Sequence, residues 1–164
     1  MNDAHLHLLI NHFPIIGTVF GFGILLTGII INNKSIQNTA FIIFIICMIL
    51  GKASMFTGEK AEKIVENLGI SNDLIHEHEE QAETYMKMAY ALGVISIISL
   101  LANVKNHPKS KLFSFLTLTL AIVTIILSKA VGTSGGEIRH TEIRETTSQT
   151  IEKQIEINHD KDFD

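Results

Sequence analysis

Four stretches of the chain, residues 13–31, 35–51, 88–104 and 112–128, contain no charged residue and are mostly apolar. Each is 17 to 19 residues long, enough to cross a hydrocarbon core of about 30 Å as a helix. The first two are joined by Asn32-Asn33-Lys34-Ser35, the last two by a polar turn from Asn103 to Lys111 that contains Pro108. Connections this short place consecutive helices antiparallel. The pattern predicts an all-α fold, a polytopic membrane four-helix bundle running up-down-up-down.

The middle connection is longer. Helical patterning continues beyond the second stretch through Lys52 to Leu68, stops at Gly69, and restarts with Ser71 and Asn72 as the cap. From Ala40 to Leu68 is 29 residues, roughly 43 Å of helix. The second and third helices should therefore project from the bilayer as an extended outer hairpin, which on its plainest reading is a solvated connection. The fourth helix is expected to end near Gly132, with Thr133-Ser134-Gly135-Gly136 as a flexible elbow. Residues 1–144 then form the transmembrane domain. Residues 145–164 form a polar tail, a short amphipathic helix or disordered, in which His159 is incidental. No internal repeat is evident, although helices one and two could pack like helices three and four. Gly17 and Gly21 have the spacing that lets membrane helices approach closely, either within the bundle or in a homo-oligomer.

Composition adds an orientation. With 46% hydrophobic and 18% charged residues in 164, little chain remains for a separate soluble domain. The first run is not expected to be a cleaved signal, because Met1-Asn2-Asp3-Ala4 carries no basic segment. Lys34 lies in the first turn and Lys105, Lys109 and Lys111 in the third, with no acidic residue in either. The lysine bias places those turns in the cytoplasm and both termini outside. A net charge of −4 implies no nucleic-acid partner, and Cys47 has no second cysteine to pair with.

This orientation gathers six histidines at the outer end: His5, His7 and His12 before the first apolar run, His76 and His78 before the third, and His140 after the fourth. A lone interfacial histidine is ordinary, but several from different helices could ligate one group. Two chemistries fit. A b-type haem would take one neutral imidazole from each of two helices, and bis-histidine ligation favours electron transfer. The first and third helices lie diagonally across the bundle, so His12 and His78 are the leading pair, with His7, His76 and His140 as alternates. Lys52, Lys87, Lys129 and Arg139 lie near the same boundary, where haem propionates would partner them. Alternatively, His5, Glu59, Glu62, His76, Glu80 and His140 supply donors for iron, manganese or zinc in a non-redox binding or transport subunit. Met55, Met86 and Met88 would suit copper. The bland alternative pairs the acids with Lys60, Lys63 and Lys87 as surface salt bridges, on a structural subunit that docks a partner. No Cys-x-x-Cys-His, phosphate loop, nucleophile elbow or His-Glu-x-x-His motif occurs. A binding or electron-transfer subunit fits better than a stand-alone enzyme.

Asn11-His12-Phe13-Pro14-Ile15-Ile16-Gly17, opening a four-span chain, resembles a family of small bacterial membrane domains with a His-Phe-Pro element in the first helix. Gly58-Glu59-Lys60-Ala61-Glu62, Glu77-His78-Glu79 and Gly136-Glu137-Ile138-Arg139-His140 look like a longer-hairpin branch of it. The resemblance spans roughly residues 5–144. It implies the bacterial cytoplasmic membrane, with the histidines on its periplasmic or extracellular side. Relatives of this kind can be fused to Rieske or cytochrome c domains, which implies such a redox partner, or quinone.

Overall fold

The computed structural model describes residues 2–140 and 143–144; the tail at 145–164, His159 included, lies outside the described residues. The architecture is an all-α four-helix bundle in five segments: α1 (Asp3–Ile10), α2 (His12–Ile30), α3 (Lys34–Glu66), α4 (Asn72–Val104) and α5 (Ser110–Arg139). α1 and α2 form one column interrupted at Asn11, and the whole of Asp3–Ile30 is long and apolar enough to cross a membrane, as are α3, α4 and α5. The interruption follows from Pro14, which has no N–H to give the carbonyl of Ile10 and crowds it.

The connections read as expected. Gly69 takes φ +79° after α3, and Ser71 caps α4 by accepting from the Asp73 amide at 3.3 Å. At the opposite end, α2 and α4 close in the same way. Asn32 and Asn106 are left-handed, and the amides of Asn33 and His107 bond back to the carbonyls of Gly28 and Ala102. Lys34 Nζ donates to Asn106 Oδ1 at 2.9 Å, tying these two turns together.

α5 departs from expectation. It runs unbroken through Thr133-Ser134-Gly135-Gly136 to Arg139, so the elbow predicted there is helix. Each glycine inside a helix costs about 1 kcal/mol relative to alanine. The packing explains the retention: a Cβ on Gly135 would stand 3.0 Å from His78 Cε1, and one on Gly136 3.2 Å from Ile143 Cδ1.

Helices adjacent in sequence pack side by side, and α5 closes the ring against α2. That leaves α2 and α4 on one diagonal, α3 and α5 on the other. Leu25, Ala40, Phe41, Phe44, Leu92 and Ala121 form the central core. Around it the usual distribution is inverted. Ser96, Ser99, Thr117 and Thr124 are fully buried, whereas Phe20, Ile30 and Ile126 are 67%, 72% and 66% exposed. Small and hydroxylated residues inside with large aliphatic ones outside suit helices bathed in lipid, where packing rather than water exclusion drives association. The small buried hydroxyls are satisfied within their own helices: Thr18, Ser96, Thr117 and Thr124 each donate to the carbonyl four residues back.

The two hairpins also repeat one register of burial. The buried residues of α2, namely Pro14, Thr18, Gly21, Leu25 and Gly28, correspond to buried Tyr85, Ala89, Leu92, Ser96 and Ser99 of α4 at the offset that separates His7 from His78. Likewise Gln37, Ala40, Phe44, Cys47, Gly51 and Thr57 of α3 correspond to Ser114, Thr117, Ala121, Thr124, Ser128 and Ser134 of α5. No pair is identical. Size is traded instead, Gly21 against Leu92 and Phe44 against Ala121.

Close approach in the first hairpin is carried by Gly21, where a Cβ would fall 2.6 Å from Phe44 Cε1; at Gly23 nothing lies within 4 Å. Gly21→Ala should therefore destabilise the bundle by ~1–3 kcal/mol through overpacking. Gly23→Ala should be neutral or stabilising by up to ~1 kcal/mol. Thermal unfolding of the two variants in detergent separates these effects.

Candidate functional site

Beyond the charge-free stretches, a cavity of ≈ 330 Å³ is enclosed by α1, α3, α4 and α5 at the end of the bundle where α3 turns into α4. That volume falls within the range of small-molecule and cofactor sites. Its walls are mostly apolar, from Leu8, Met55, Ile64, Val65, Ile75 and Ile138, and His7 and His78 enter from diagonally opposite helices.

Each histidine is held by the helix that follows it within its own hairpin. His7 Nδ1 lies 3.0 Å from the Ser54 carbonyl oxygen and 3.3 Å from Thr57 Oγ1. A carbonyl can only accept, so Nδ1 carries the proton and donates it. His78 Nδ1 lies 3.0 Å from Ser134 Oγ. The Ser134 hydroxyl also lies 3.3 Å from the Val131 carbonyl; when it donates there, it accepts from His78 Nδ1–H. The Ser54 carbonyl assigns His7 the Nδ1–H form, the Ser134 hydroxyl admits the same form for His78, and neither Nε2 has a hydrogen-bond partner among the described residues. Glycine makes room beside each ring. A Cβ on Gly58 would lie 3.2 Å from His7 Cε1, and one on Gly135 3.0 Å from His78 Cε1.

Both rings are half-buried and outside the charge-free stretches. Burial holds the His7 imidazole below its ordinary pKa; the bond to Ser54 offsets part of this, and the charge of His12 adds to it. Burial also lowers His78, and the charge of His7 lowers it further, since the two share one space. Neutral imidazole is the form that ligates a metal. The Glu79 carboxyl, on the cavity wall, is pushed up by burial and then by Glu62, with His76 offsetting part and Glu83 and Glu59 adding to the rise.

The remaining candidates are placed elsewhere. His12 is exposed, with Nδ1 3.3 Å from the Leu8 carbonyl of its own column, and does not line the cavity. His5 and Lys52 are exposed and away from it, and His140 is exposed just past the end of α5. His76 faces out, 3.9 Å from Glu79 and 3.4 Å from Glu80 on its own helix, with Glu80 likewise exposed. Glu59, Glu62 and Arg139 do line the cavity. Among the described residues, no three His, Cys, Asp or Glu side chains converge as a metal cage. Gly17 and Gly21 pack on Cys47 and Phe44 of the same chain.

Ser54, Thr57, Ser134, Gly58 and Gly135 were not singled out as site residues from the sequence. The signal for four of them was present: Thr57-Gly58 and Ser134-Gly135 are like dipeptides, each starting six residues past a charge-free stretch, after positions 51 and 128. Asn11 also lines the cavity, and its buried Oδ1 has no hydrogen-bond partner among the described residues. No protein-family model, curated protein or solved structure matches the chain.

The lowered pKa values set a sign. Above pH 6.5 both rings are neutral folded or unfolded. As pH falls below that value the unfolded chain takes up protons first, so stability declines until the folded rings also protonate. The ring resonances of His7 and His78 should titrate below pH 6.5 by NMR. His7→Asn or His78→Asn should flatten the fall of stability with acid.

Proposed function

We propose that this chain is an integral membrane protein that binds haem b in the outer cavity and takes part in electron transfer, with His7 and His78 as axial ligands. One observation carries the reading: two neutral imidazoles from diagonal helices share a cavity, each fixed at Nδ1 and bare at Nε2. A haem iron held by His7 and His78 would take an unprotonated nitrogen from each ring, and the hydrogen bond on the other ring nitrogen would set tautomer and orientation. The donor set fits such a group. Gly58 and Gly135 keep space beside the rings, and the apolar walls suit the faces of a macrocycle. When bound, six-coordinate haem supplies a one-electron couple, which is why electron transfer rather than substrate conversion is the reading.

The chain's own residues do the remaining work. Ser54 and Ser134 hold the rings, and the apolar walls exclude water from the Nε2 positions. The lysine bias of the two short turns supports a site on the outer face of the membrane. The resemblance to small bacterial membrane domains supports a bacterial cytoplasmic membrane, with a quinone or a Rieske or cytochrome c type protein as electron partner. The alternative of a Glu/His centre for iron, zinc or copper is less well supported, since its exposed members His76, Glu80 and His140 do not line the cavity.

Detergent-purified protein supplied with haem should show the reduced α-band of six-coordinate haem b. His7→Ala and His78→Ala should each lose it, while His12→Ala keeps it. Ser134→Ala should keep it with an affinity about tenfold weaker, as found for partners that orient ligating histidines. A featureless spectrum despite haem supply would sink the proposal.

A further inference from the structure

The repeat that relates His7 to His78 also pairs much of the cavity lining, and it fails in charge at two places. Leu8 on α1 corresponds to Glu79 on α4, and Glu62 on α3 corresponds to Arg139 on α5, at the offsets that relate the buried positions. With Glu59 beside Glu62, the wall built by α3 and α4 carries three carboxylates, while α5 contributes a guanidinium. The packing is lopsided in the same sense. α3 and α4 pack against each other, whereas α1 packs along α3 and meets α2 without a comparable face on α5. Among the described residues the acidic side of the cavity therefore lies between two helices packed on each other, while α1 and α5 are not packed together in the same way, and Arg139 on α5 is exposed.

A pair of axial histidines alone does not choose how a flat macrocycle is turned about the axis between them. The charges do. Haem carries both carboxylates on one edge; against Glu59, Glu62 and Glu79 they meet like charge, and against a guanidinium they gain a charge-assisted bond. We infer that Arg139 anchors the anionic edge of the bound group between α1 and α5 and so fixes its orientation. Arg139 is a positioning residue, and the inference rests on the haem reading above.

The test uses the full chain in detergent, titrated with haemin and with haemin dimethyl ester, and followed by the Soret band. Arg139→Gln should weaken haemin about five- to tenfold, a modest value because the rim is wet, and leave the diester within twofold. Arg139→Lys should recover part of the loss, and Glu62→Gln should leave haemin as tight or tighter. Equal weakening of both compounds by Arg139→Gln, or no effect on haemin, overturns the anchor while the haem site stands. Wild-type protein that binds neither compound overturns the haem reading, and the anchor falls with it.

Discussion

A polar atom buried among apolar helices costs several kcal/mol unless it is hydrogen-bonded, and this constraint shapes the bundle from end to end. In the charge-free part, interior hydroxyls such as Thr18, Ser96 and Thr124 bond the carbonyl four residues back on their own helix. At the end opposite the cavity the same demand draws four helices together: Gln37 Nε2 donates to Gly28 O at 3.0 Å, while Asn103 Nδ2 and Ser114 Oγ both donate to Gln37 Oε1. At the cavity end it acts on two imidazoles, each bonding the next helix of its hairpin through Nδ1.

Packing and site are linked through this bond. A ring that bonds a neighbouring helix must lie close to it, so a side chain at the contact point would collide. That is why Gly58 and Gly135 stand next to Thr57 and Ser134, and why α5 carries a glycine pair within a continuous helix. The hairpins repeat the arrangement because antiparallel helix pairs packed about one axis expose like positions to like surroundings. Their lining then diverges in charge, with Glu62 opposite Arg139 and Leu8 opposite Glu79, so a nearly symmetric cavity has distinguishable edges.

The helices were legible because their signal is local. Uncharged length identifies four spans, and Gly69 and Ser71 mark the turn between the second and third; the break at Asn11 was not read from the sequence. The cavity end was legible as the place where histidines gather. Which histidines meet was not: His7 and His12 differ by less than two turns, and the helix rotation that separates them depends on what α1 packs against. The predicted elbow failed for a related reason. Glycine's preference for turns is a local statement, and the contact of Gly135 with His78, far away in sequence, overrides it.

The sequence alone determined the number of helices, their length relative to a bilayer and the polar turns between them, because these follow from composition and from backbone needs within a few residues. It left the repeat hidden, since burial recurs at corresponding positions while identities trade size, as at Phe44 and Ala121. Tertiary structure decided which imidazoles share a cavity and which nitrogen of each is left bare. Those are properties of facing surfaces: each depends on the rotation and spacing of helices set by all their contacts together, and no single segment encodes them.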